Sequence, residues 1–247
     1  MVESYTHAPM PAGDHPHQAD RSGGDTVPVR RHPAARRLTL RVDRATGDAW
    51  VSAPPHVCDR DIARFVDRHA DWLAVRRAHV PGRVPFADGA VIPILGARHV
   101  VRHRPDRETD RPRAPVVQAD GLLVVTGHAD HVSRRIGDFL KARALDHLSG
   151  LALAKSARVG CSPAKVSVRD TRTRWGSCSQ TGRLSFCWRL ILAPPEVSDY
   201  VAAHEVAHLV EMHHGPAFWT LCGSLSDDMS AGQTWLRRHG ASLRRFG

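Results

Sequence analysis

Apolar and polar residues alternate along the segment RLTLRVDRATGDAWVSAPP, which begins at Arg37. A period of two is typical of half-buried strands, so this segment predicts a β-hairpin that turns at Thr46-Gly47-Asp48. The next segment, DRDIARFVDRHADWLAVRRAH, repeats its apolar residues every three or four positions, which predicts one amphipathic helix. The apolar face of this helix carries Ile62, Phe65, Val66, His69, Trp72 and Leu73.

Four short apolar runs follow, AVIPILG, HVVRH, PVVQ and LLVVT, and each predicts a strand. Between the second and third lies RHRPDRETDRPRAP, whose prolines and mixed charges predict a solvated loop. From Ala129 to about Arg158 the apolar residues return to a helical period and predict a long amphipathic helix. Its apolar positions are Val132, Ile136, Phe139, Leu140, Leu145, Leu148 and Leu151.

The last third of the chain begins with three predicted strands, KVSVRD, RWGSCS and RLSFCWRLI. Pro194 and Pro195 suit the first turn of a helix, where a missing N–H costs nothing, and Glu196 favours the positive end of the helix dipole. The predicted helix runs through HEVAHLVEMHH and ends at Gly215-Pro216. Two further helices are predicted over AFWTLCGSL and SAGQTWLRRHGASL.

This order of elements predicts an α+β fold in three parts. Residues 1–36 are rich in Pro, Gly, His and Asp, a composition that cannot bury enough apolar surface to fold, and we expect a disordered tail. Residues 37–128 are expected to form a β-rich N-terminal subdomain. Residues 129–247 are expected to form the catalytic region.

Composition narrows the class of protein. No segment approaches the roughly 18–20 consecutive apolar residues that cross a bilayer, and the first residues lack the apolar core of a signal peptide, so we expect a soluble, cytoplasmic protein with no membrane partner. The five cysteines are scattered without C-x-x-C spacing, which predicts reduced thiols. The net charge of +10 makes nucleic acid a possible partner, although no nucleic-acid motif accompanies it. Nothing in the sequence specifies an oligomeric state.

The helix segment HEVAHLVEMHH contains an H-E-x-x-H pattern. His204 and His208 are four residues apart, so on a helix both imidazoles lie on one face and can bind one ion. Glu205 is rotated off that line, where it can reach a metal-bound water without binding the metal itself. This is the metalloprotease pattern in which the glutamate is the general base.

A catalytic zinc site needs a third protein ligand and an open position. Three residues in line on a straight helix cannot all reach one ion, so the chain must bend back after His208. His213 and His214 follow, and His214 has the spacing of the third histidine in H-E-x-x-H-x-x-G-x-x-H proteases, but the glycine of that motif is absent. Either histidine is a candidate ligand at this stage. Glu211 is either a solvated acid or an acceptor that orients a ligand imidazole.

Three blocks of the sequence carry a resemblance to a known family. They are RWGSC at Arg174–Cys178, WRLILAPP at Trp188–Pro195, and the histidine segment with its ending HGPAFW at His214–Trp219. In these blocks the chain resembles the YgjP-like metallopeptidases, relatives of the SprT-type zincins. The resemblance implies a zincin-like catalytic half, with a short sheet packed on the HExxH helix, and a zinc cofactor. By position it implies His214 as the third ligand, with His213 in place of the asparagine typical of the family.

We therefore predict a zinc-dependent metallopeptidase acting on a peptide or protein. His204, His208 and His214 would bind Zn²⁺, which activates a water, and Glu205 would accept the proton of that water. The oxyanion formed by attack on the peptide carbonyl needs a further donor. The candidates for this donor are Arg172, Arg174, Tyr200 and His213.

Other functions stay open on sequence alone. A metal-dependent nucleotide phosphohydrolase could use the same water, although the chain has neither a P-loop nor a carboxylate cluster for Mg²⁺. Kinship with SprT suggests a nucleic-acid-associated protease of DNA-bound proteins, by analogy only. A zinc fold without activity is the remaining alternative. The RWGSC segment has two interpretations. Either this strand pairs with the backbone of a substrate, or its role is structural, with Trp175 packed in the core and Gly176 allowing another backbone to approach closely.

Overall fold

A computed structural model describes residues 27–43, 47–78, 82–105, 114–171 and 173–247. The chain divides into two compact units, Met1–Val80 and Pro81–Gly247. The composition of both is mixed, with small sheets and helices, which confirms the α+β class. No helix among the described residues is long and apolar enough to cross a membrane.

The described residues of the first unit form a three-stranded sheet and two helices. Strand β3 (Ala49–Ala53) lies in the middle, with β2 (Thr39–Val42) antiparallel on one side, as the predicted hairpin requires. Helices α1 (Asp59–Arg68) and α2 (Ala70–Ala78) follow. The core of this unit is built on Val51, Ala53 and Ile62. Thr46, in the predicted turn, lies outside the described residues.

Strand β1 (Val29–Arg31) corrects part of the predicted tail. It pairs in parallel with β3, although residues 1–36 were expected to be disordered. The Arg31 guanidinium stabilises this arrangement, because it donates to the Val57 carbonyl at 2.6 Å and to the Asp59 carboxylate at 2.6 Å. Residues 1–26 of the predicted tail lie outside the described residues, as does 106–113 of the predicted charged loop.

The single helix predicted from DRDIARFVDRHADWLAVRRAH is two helices that meet at His69. In a continuous helix the His69 N–H would donate to the Phe65 carbonyl. Here the His69 N–H donates to Val66, and the imidazole Nδ1 donates to the Phe65 carbonyl at 2.7 Å. The side chain thus replaces the backbone as donor and ends α1.

The part of the second unit that the structure describes contains two sheets. The four-stranded sheet has the order β4 (Val91–Ile94), β5 (Ala97–Arg104), β7 (Leu122–Thr126), β6 (Val116–Ala119), in which only β5 and β7 are parallel. The three-stranded sheet has β10 (Arg183–Cys187) in the middle. Its neighbours are the parallel β8 (Lys165–Arg169) and the antiparallel β9 (Gly176–Cys178).

Four α-helices complete the second unit in its described residues. They are α3 (Val132–Arg158), α4 (Pro195–Ala207), α5 (Pro216–Leu225) and α6 (Met229–Leu243). The predicted strand RLSFCWRLI is a strand only to Cys187; Trp188–Leu192 form a 3₁₀ turn. The reason is burial, since four of the five residues of this turn are buried and a period of two would expose half of them. The Leu95 N–H donates to the Ile191 carbonyl at 2.7 Å and ties β4 to this turn.

The strands β4–β7 belong to the second unit and not to an N-terminal subdomain ending at residue 128. Their buried residues, such as Ile92, Val101 and Leu123, pack in one cluster with Leu140 of α3 and Val206 of α4. The boundary between the two compact units therefore lies after Val80.

A buried ion pair joins three helical segments of this unit. Lys155 of α3 donates to the Asp199 carboxylate of α4 and, at 2.7 Å, to the Leu225 carbonyl at the end of α5. The second Asp199 oxygen accepts from the Ser226 hydroxyl at 2.9 Å and the Asp227 N–H at 2.8 Å. Both charged groups are therefore hydrogen-bonded, which is the condition for keeping charges away from water.

Candidate metal centre

Helix α4 carries His204 and Glu205 in its last turn, and it ends at Ala207. The predicted helix end at Gly215-Pro216 is therefore wrong by two turns. His208 is the C-cap, and its Nδ1 donates to the Glu211 carbonyl at 3.0 Å, which holds the chain in a bend just beyond the helix. Gly215 and Pro216 instead begin α5, as its N-cap and first residue.

The bend brings His214 back to the two histidines of α4. The Nε2 atom of His214 lies 3.2 Å from that of His204 and 3.1 Å from that of His208. These three residues are the one group of potential metal ligands found within the described part of the chain, with ligand atoms all within 4.8 Å of one another. His213 is exposed and lies outside this group, and its carbonyl accepts from the Gly215 N–H at 2.7 Å.

The protonation of the imidazoles suits a cation. A carbonyl can only accept, so the His208 Nδ1 carries the proton and its Nε2 presents a lone pair to the cluster. Burial, followed by the nearby His208 and His214, lowers the pKa of His204 to about 3. Burial is also the main reason that the pKa of His208 is lowered. Both rings are thus neutral near pH 7, the form in which histidine binds metals.

The spacing of the nitrogens also suits a cation. Zn–N distances of 2.0–2.1 Å in tetrahedral geometry put two ligand nitrogens about 3.3 Å apart. The two short Nε2–Nε2 distances, 3.1 and 3.2 Å, are close to this value. Three imidazole nitrogens that lie within 4.8 Å of one another, two pairs of them at this spacing, can bind one tetrahedral ion and leave its fourth position to a water or a substrate.

Phe218 of α5 packs against all three histidines. Its ring centroid lies 4.9 Å from that of His204, 4.5 Å from that of His208 and 4.7 Å from that of His214, and the side chain is fully buried. Trp219 stacks on His214 at 5.6 Å but is 37 % exposed, so it borders the site on the solvent side. Phe218 therefore belongs to the core, and Trp219 does not.

Glu205 is buried with only 5 % of its surface exposed. Burial raises the pKa of this carboxyl to about 8, while the charge of Arg174 opposes the shift. The side chain faces strand β9, because a Cβ placed on Gly176 would lie 2.3 Å from the Glu205 Oε1. Glu205 is therefore enclosed between α4 and β9 with no ion-pair partner among the described side chains.

The other candidate residues differ in their relation to the cluster. The Tyr200 ring meets that of His204 edge to face at 6.0 Å, and its hydroxyl accepts from the Gln233 amide at 3.2 Å. Glu211 orients His208 through its main-chain carbonyl, whereas the sequence left its side chain as either a solvated acid or an acceptor. Arg174 is exposed but close enough to influence Glu205. Arg172 lies outside the described residues.

Strand β9 forms an open edge of its sheet in the described part of the chain. The Cys187 N–H donates to the Trp175 carbonyl, and the Ser179 N–H donates to the Arg183 carbonyl. The odd-numbered residues of β9 therefore direct their backbone N–H and C=O groups toward β10. Because hydrogen-bonded and non-bonded pairs alternate in antiparallel ladders, Gly176 and Cys178 direct their N–H and C=O groups to the open edge. Glu205 lies against the face of the same strand, at Gly176.

Sequence reasoning missed two contacts of the site. The Glu211 carbonyl has no signature, because every residue has one. Gly176 did have a signal, since glycine is unfavourable in a strand and marks close approach. The sequence suggested backbone as its neighbour, whereas the Glu205 side chain is the group that approaches it.

Comparison with known proteins agrees with this geometry. The family model described as YgjP-like, metallopeptidase domain, matches residues 36–239. No curated protein sequence and no solved structure matches the chain significantly. The match covers most of the chain, including the histidine cluster, strand β9 and the whole four-stranded sheet, and it implies a metal ion and a protein or peptide substrate. The chain therefore belongs to the YgjP-like metallopeptidase family.

Proposed function

We propose that this metallopeptidase is zinc-dependent and hydrolyses peptide bonds with Glu205 as its general base. The observation that carries the proposal is the convergence of three imidazoles, His204, His208 and His214, with two of their Nε2 pairs at the spacing of ligands of one tetrahedral ion. An all-nitrogen set of three ligands with an open position is typical of catalytic zinc. When bound, zinc supplies a Lewis acid that polarises a carbonyl and lowers the pKa of water.

Glu205 is the proton acceptor in this proposal. It follows His204 directly, so it leaves the helix about 100° away from the line of the ligands and does not compete with them for the ion. Burial raises the pKa of Glu205 to about 8 in the metal-free chain, and a cation bound by the histidines would favour the carboxylate and bring the pKa closer to neutral pH. A pKa near the working pH suits a group that takes a proton from the attacking water and returns it to the leaving amine.

Two donors could stabilise the oxyanion that develops on the substrate. The Tyr200 hydroxyl accepts from Gln233, so its own proton is free to be donated, and the Tyr200 ring packs against His204. Arg174 supplies a positive charge close to Glu205. His213 is a weaker candidate, because it lies outside the histidine cluster.

The substrate in this proposal is an extended peptide. The outward N–H and C=O groups of Gly176 and Cys178 would pair with its backbone, as in the addition of a strand to a sheet edge. Main-chain pairing holds a peptide of any sequence, which leaves the side-chain preference to the residues around the edge.

The test compares zinc-loaded wild-type chain with Glu205→Gln on a library of quenched fluorescent peptides. Loss of a general base should lower kcat by about 10²–10⁴-fold, with one zinc per chain retained. Glu196→Gln, in the first turn of the same helix, is the matched control and should cleave like wild type. Undiminished cleavage by zinc-loaded Glu205→Gln would exclude this role for Glu205.

A further inference from the structure

Gly176 is the residue of β9 that lies against Glu205. A Cβ at this position would be 2.3 Å from the Oε1, 2.6 Å from the Cγ and 2.7 Å from the Cδ of Glu205. All three distances are shorter than any normal contact of a Cβ atom. The three nearest heavy atoms all belong to Glu205, so its side chain is the first group that a Cβ would meet.

The backbone itself does not require glycine at position 176. Its φ is not among the positive values of the chain, unlike that of Gly182 in the adjacent turn. Gly176 lies in an ordinary antiparallel pair opposite Phe186. Glycine weakens a strand interior because it costs more chain entropy and packs no side chain. Space for the Glu205 side chain is therefore the reason that remains.

The backbones of α4 and β9 cannot move apart to admit a Cβ. Glu205 lies in the last turn of α4, and its neighbours Val206 and Ala207 are fully buried. Gly176 is held on both sides by the bonded pairs Trp175–Cys187 and Ser177–Ser185 of the ladder. An added methyl group must therefore displace the Glu205 carboxyl, whose side-chain torsions are the softest part of the contact.

We propose that Gly176 is a positioning residue, whose missing side chain leaves the slot that fixes the Glu205 carboxyl between β9 and α4. The proposal rests on the proposed function, because the position of Glu205 matters for turnover only if Glu205 is the base. It adds that the RWGSC strand serves the base as well as the substrate. Gly176 acts on the reaction only through Glu205.

The first test is a cycle of four chains: wild type, Gly176→Ala, Glu205→Ala and the double variant. Thermal unfolding is measured in each. Gly176→Ala should lower the Tm of the wild-type chain by several degrees. In the Glu205→Ala background the same change should cost little, because Oε1, Cδ and Cγ of Glu205, the atoms that a Cβ would meet, are gone. Equal losses in both backgrounds would overturn the proposal.

This cycle also covers the case in which Gly176→Ala does not fold. If the double variant folds and Gly176→Ala alone does not, the conflict between the Cβ and Glu205 is shown even more strongly. Failure of both to fold while Glu205→Ala folds would overturn the proposal, because the methyl group would then conflict with something other than Glu205.

The second test is turnover of the library peptide that the wild-type chain cleaves fastest. A carboxyl displaced by about 1 Å should lower kcat by about 100-fold, with KM and zinc content little changed. Gly150→Ala is the matched control, since a Cβ on Gly150 meets nothing within 4 Å, and it should keep the wild-type kcat. Wild-type kcat in folded, zinc-loaded Gly176→Ala would overturn the proposal.

The two tests separate the failure of this inference from that of the proposed function. If the wild-type chain cleaves no peptide, the proposed function fails, while the unfolding cycle still decides whether Gly176 makes the slot for Glu205. If cleavage is present and the cycle shows no coupling, the slot is rejected and the proposed function stands.

Discussion

The orientation of His208 depends on one main-chain carbonyl, that of Glu211. By accepting the Nδ1 proton, this carbonyl fixes the tautomer and turns the Nε2 lone pair toward His204 and His214. The side chain of Glu211 takes no part in this bond. A change of Glu211 to Gln or Ala should thus leave the orientation of His208 intact, whereas a change in the path of the backbone would not.

Measurements of zinc affinity distinguish the roles of the adjacent residues His213 and His214. His214→Ala should weaken zinc binding by more than about 100-fold, because loss of a partner that merely orients a ligand already costs 10–100-fold. His213→Ala should bind like wild type, since His213 is exposed and outside the cluster. Competition with a coloured chelator measures both affinities. The reverse order of the two variants would reject His214 as the third ligand.

The pH dependence of stability in the metal-free chain reports on Glu205. Burial raises its pKa from 4.5 to about 8, so the folded chain keeps a proton that the unfolded chain releases. The stability from this proton is full below pH 4.5 and is lost as the pH rises through about 8. His204 acts oppositely: its pKa falls from 6.5 to about 3, so its contribution is lost as the pH falls below 6.5.

Urea unfolding of the metal-free chain at pH 5 and pH 8.5 checks the sign for Glu205. Wild type should lose more stability over this interval than Glu205→Gln, because glutamine does not titrate. The His204 contribution changes equally in both chains and cancels in the comparison. Parallel pH profiles would show that the pKa of Glu205 is not raised.

At the level of residues, the sequence predicted the parts of the site that depend on helical spacing. His204, Glu205 and His208 lie on α4 and its C-cap because residues one, three and four positions apart have fixed relations on a helix. Which of His213 and His214 joins the cluster depends on the bend after α4, whose irregular backbone leaves no periodic pattern in the sequence. The same holds for the contact of Gly176 with Glu205, which joins residues far apart in the chain.

Among the elements, helix α4 is the one on which the site depends, and the buried Lys155–Asp199 pair fixes it to its neighbours. Asp199 lies in α4 five residues before His204, and the same network reaches the end of α5, which carries Phe218. The two helices that carry or support the histidines are therefore connected through one buried carboxylate.

Breaking this pair should destabilise the chain. Lys155→Met leaves the Asp199 charge buried with only Ser226 and Asp227 as donors, and removal of one partner of a buried pair costs about 3–5 kcal/mol. The control is Arg134→Met, which breaks an exposed i,i+4 pair with Asp138 and should cost at most about 0.5 kcal/mol. Urea unfolding measures both.

A double variant distinguishes the cost of burying an unpaired charge from the cost of lost packing at Lys155 and Asp199. Lys155→Met with Asp199→Leu should recover much of the loss, because an apolar pair of similar volume often replaces buried ions without penalty. A single Lys155→Met variant as stable as Arg134→Met would contradict the importance of the pair.

The elements themselves followed from apolar periodicity, but their ends did not. The strands β2 and β3 and the long α3 agree with the predicted hairpin and helix. The ends of α1 and α4 depend on imidazoles that donate to carbonyls, His69 to Phe65 and His208 to Glu211. Strand β1 depends on the Arg31 guanidinium. Such bonds are made by single side chains and leave no period in the sequence.

On the scale of the whole molecule, every described residue of the site belongs to the unit Pro81–Gly247. The large core cluster also lies within this unit, from Phe86 to Leu243. The α+β class could be predicted because it needs only the order of elements. The boundary could not, since β4–β7 show the same alternation whether they pack on α3 or form a separate subdomain.

A fragment of residues 81–247 tests whether this unit is sufficient for metal binding. We expect the fragment to fold and to bind one zinc with an affinity within about tenfold of the full chain, because the three clustered histidines, Phe218 and the large core are all retained. Zinc titration and thermal unfolding of both chains measure this. A folded fragment that does not bind zinc would show that residues before Pro81 contribute to the site.

The unequal exposure of the three histidines has a kinetic consequence. His204 and His208 are half-buried and anchored on α4, whereas His214 is exposed and lies in the connection between two helices. Phe218 closes the buried side. A captured ion would therefore exchange with solvent past His214, whose release leaves the helical pair in place. The residence time of the ion would then be set by fluctuations of residues 209–215, which are faster than unfolding of the helix itself.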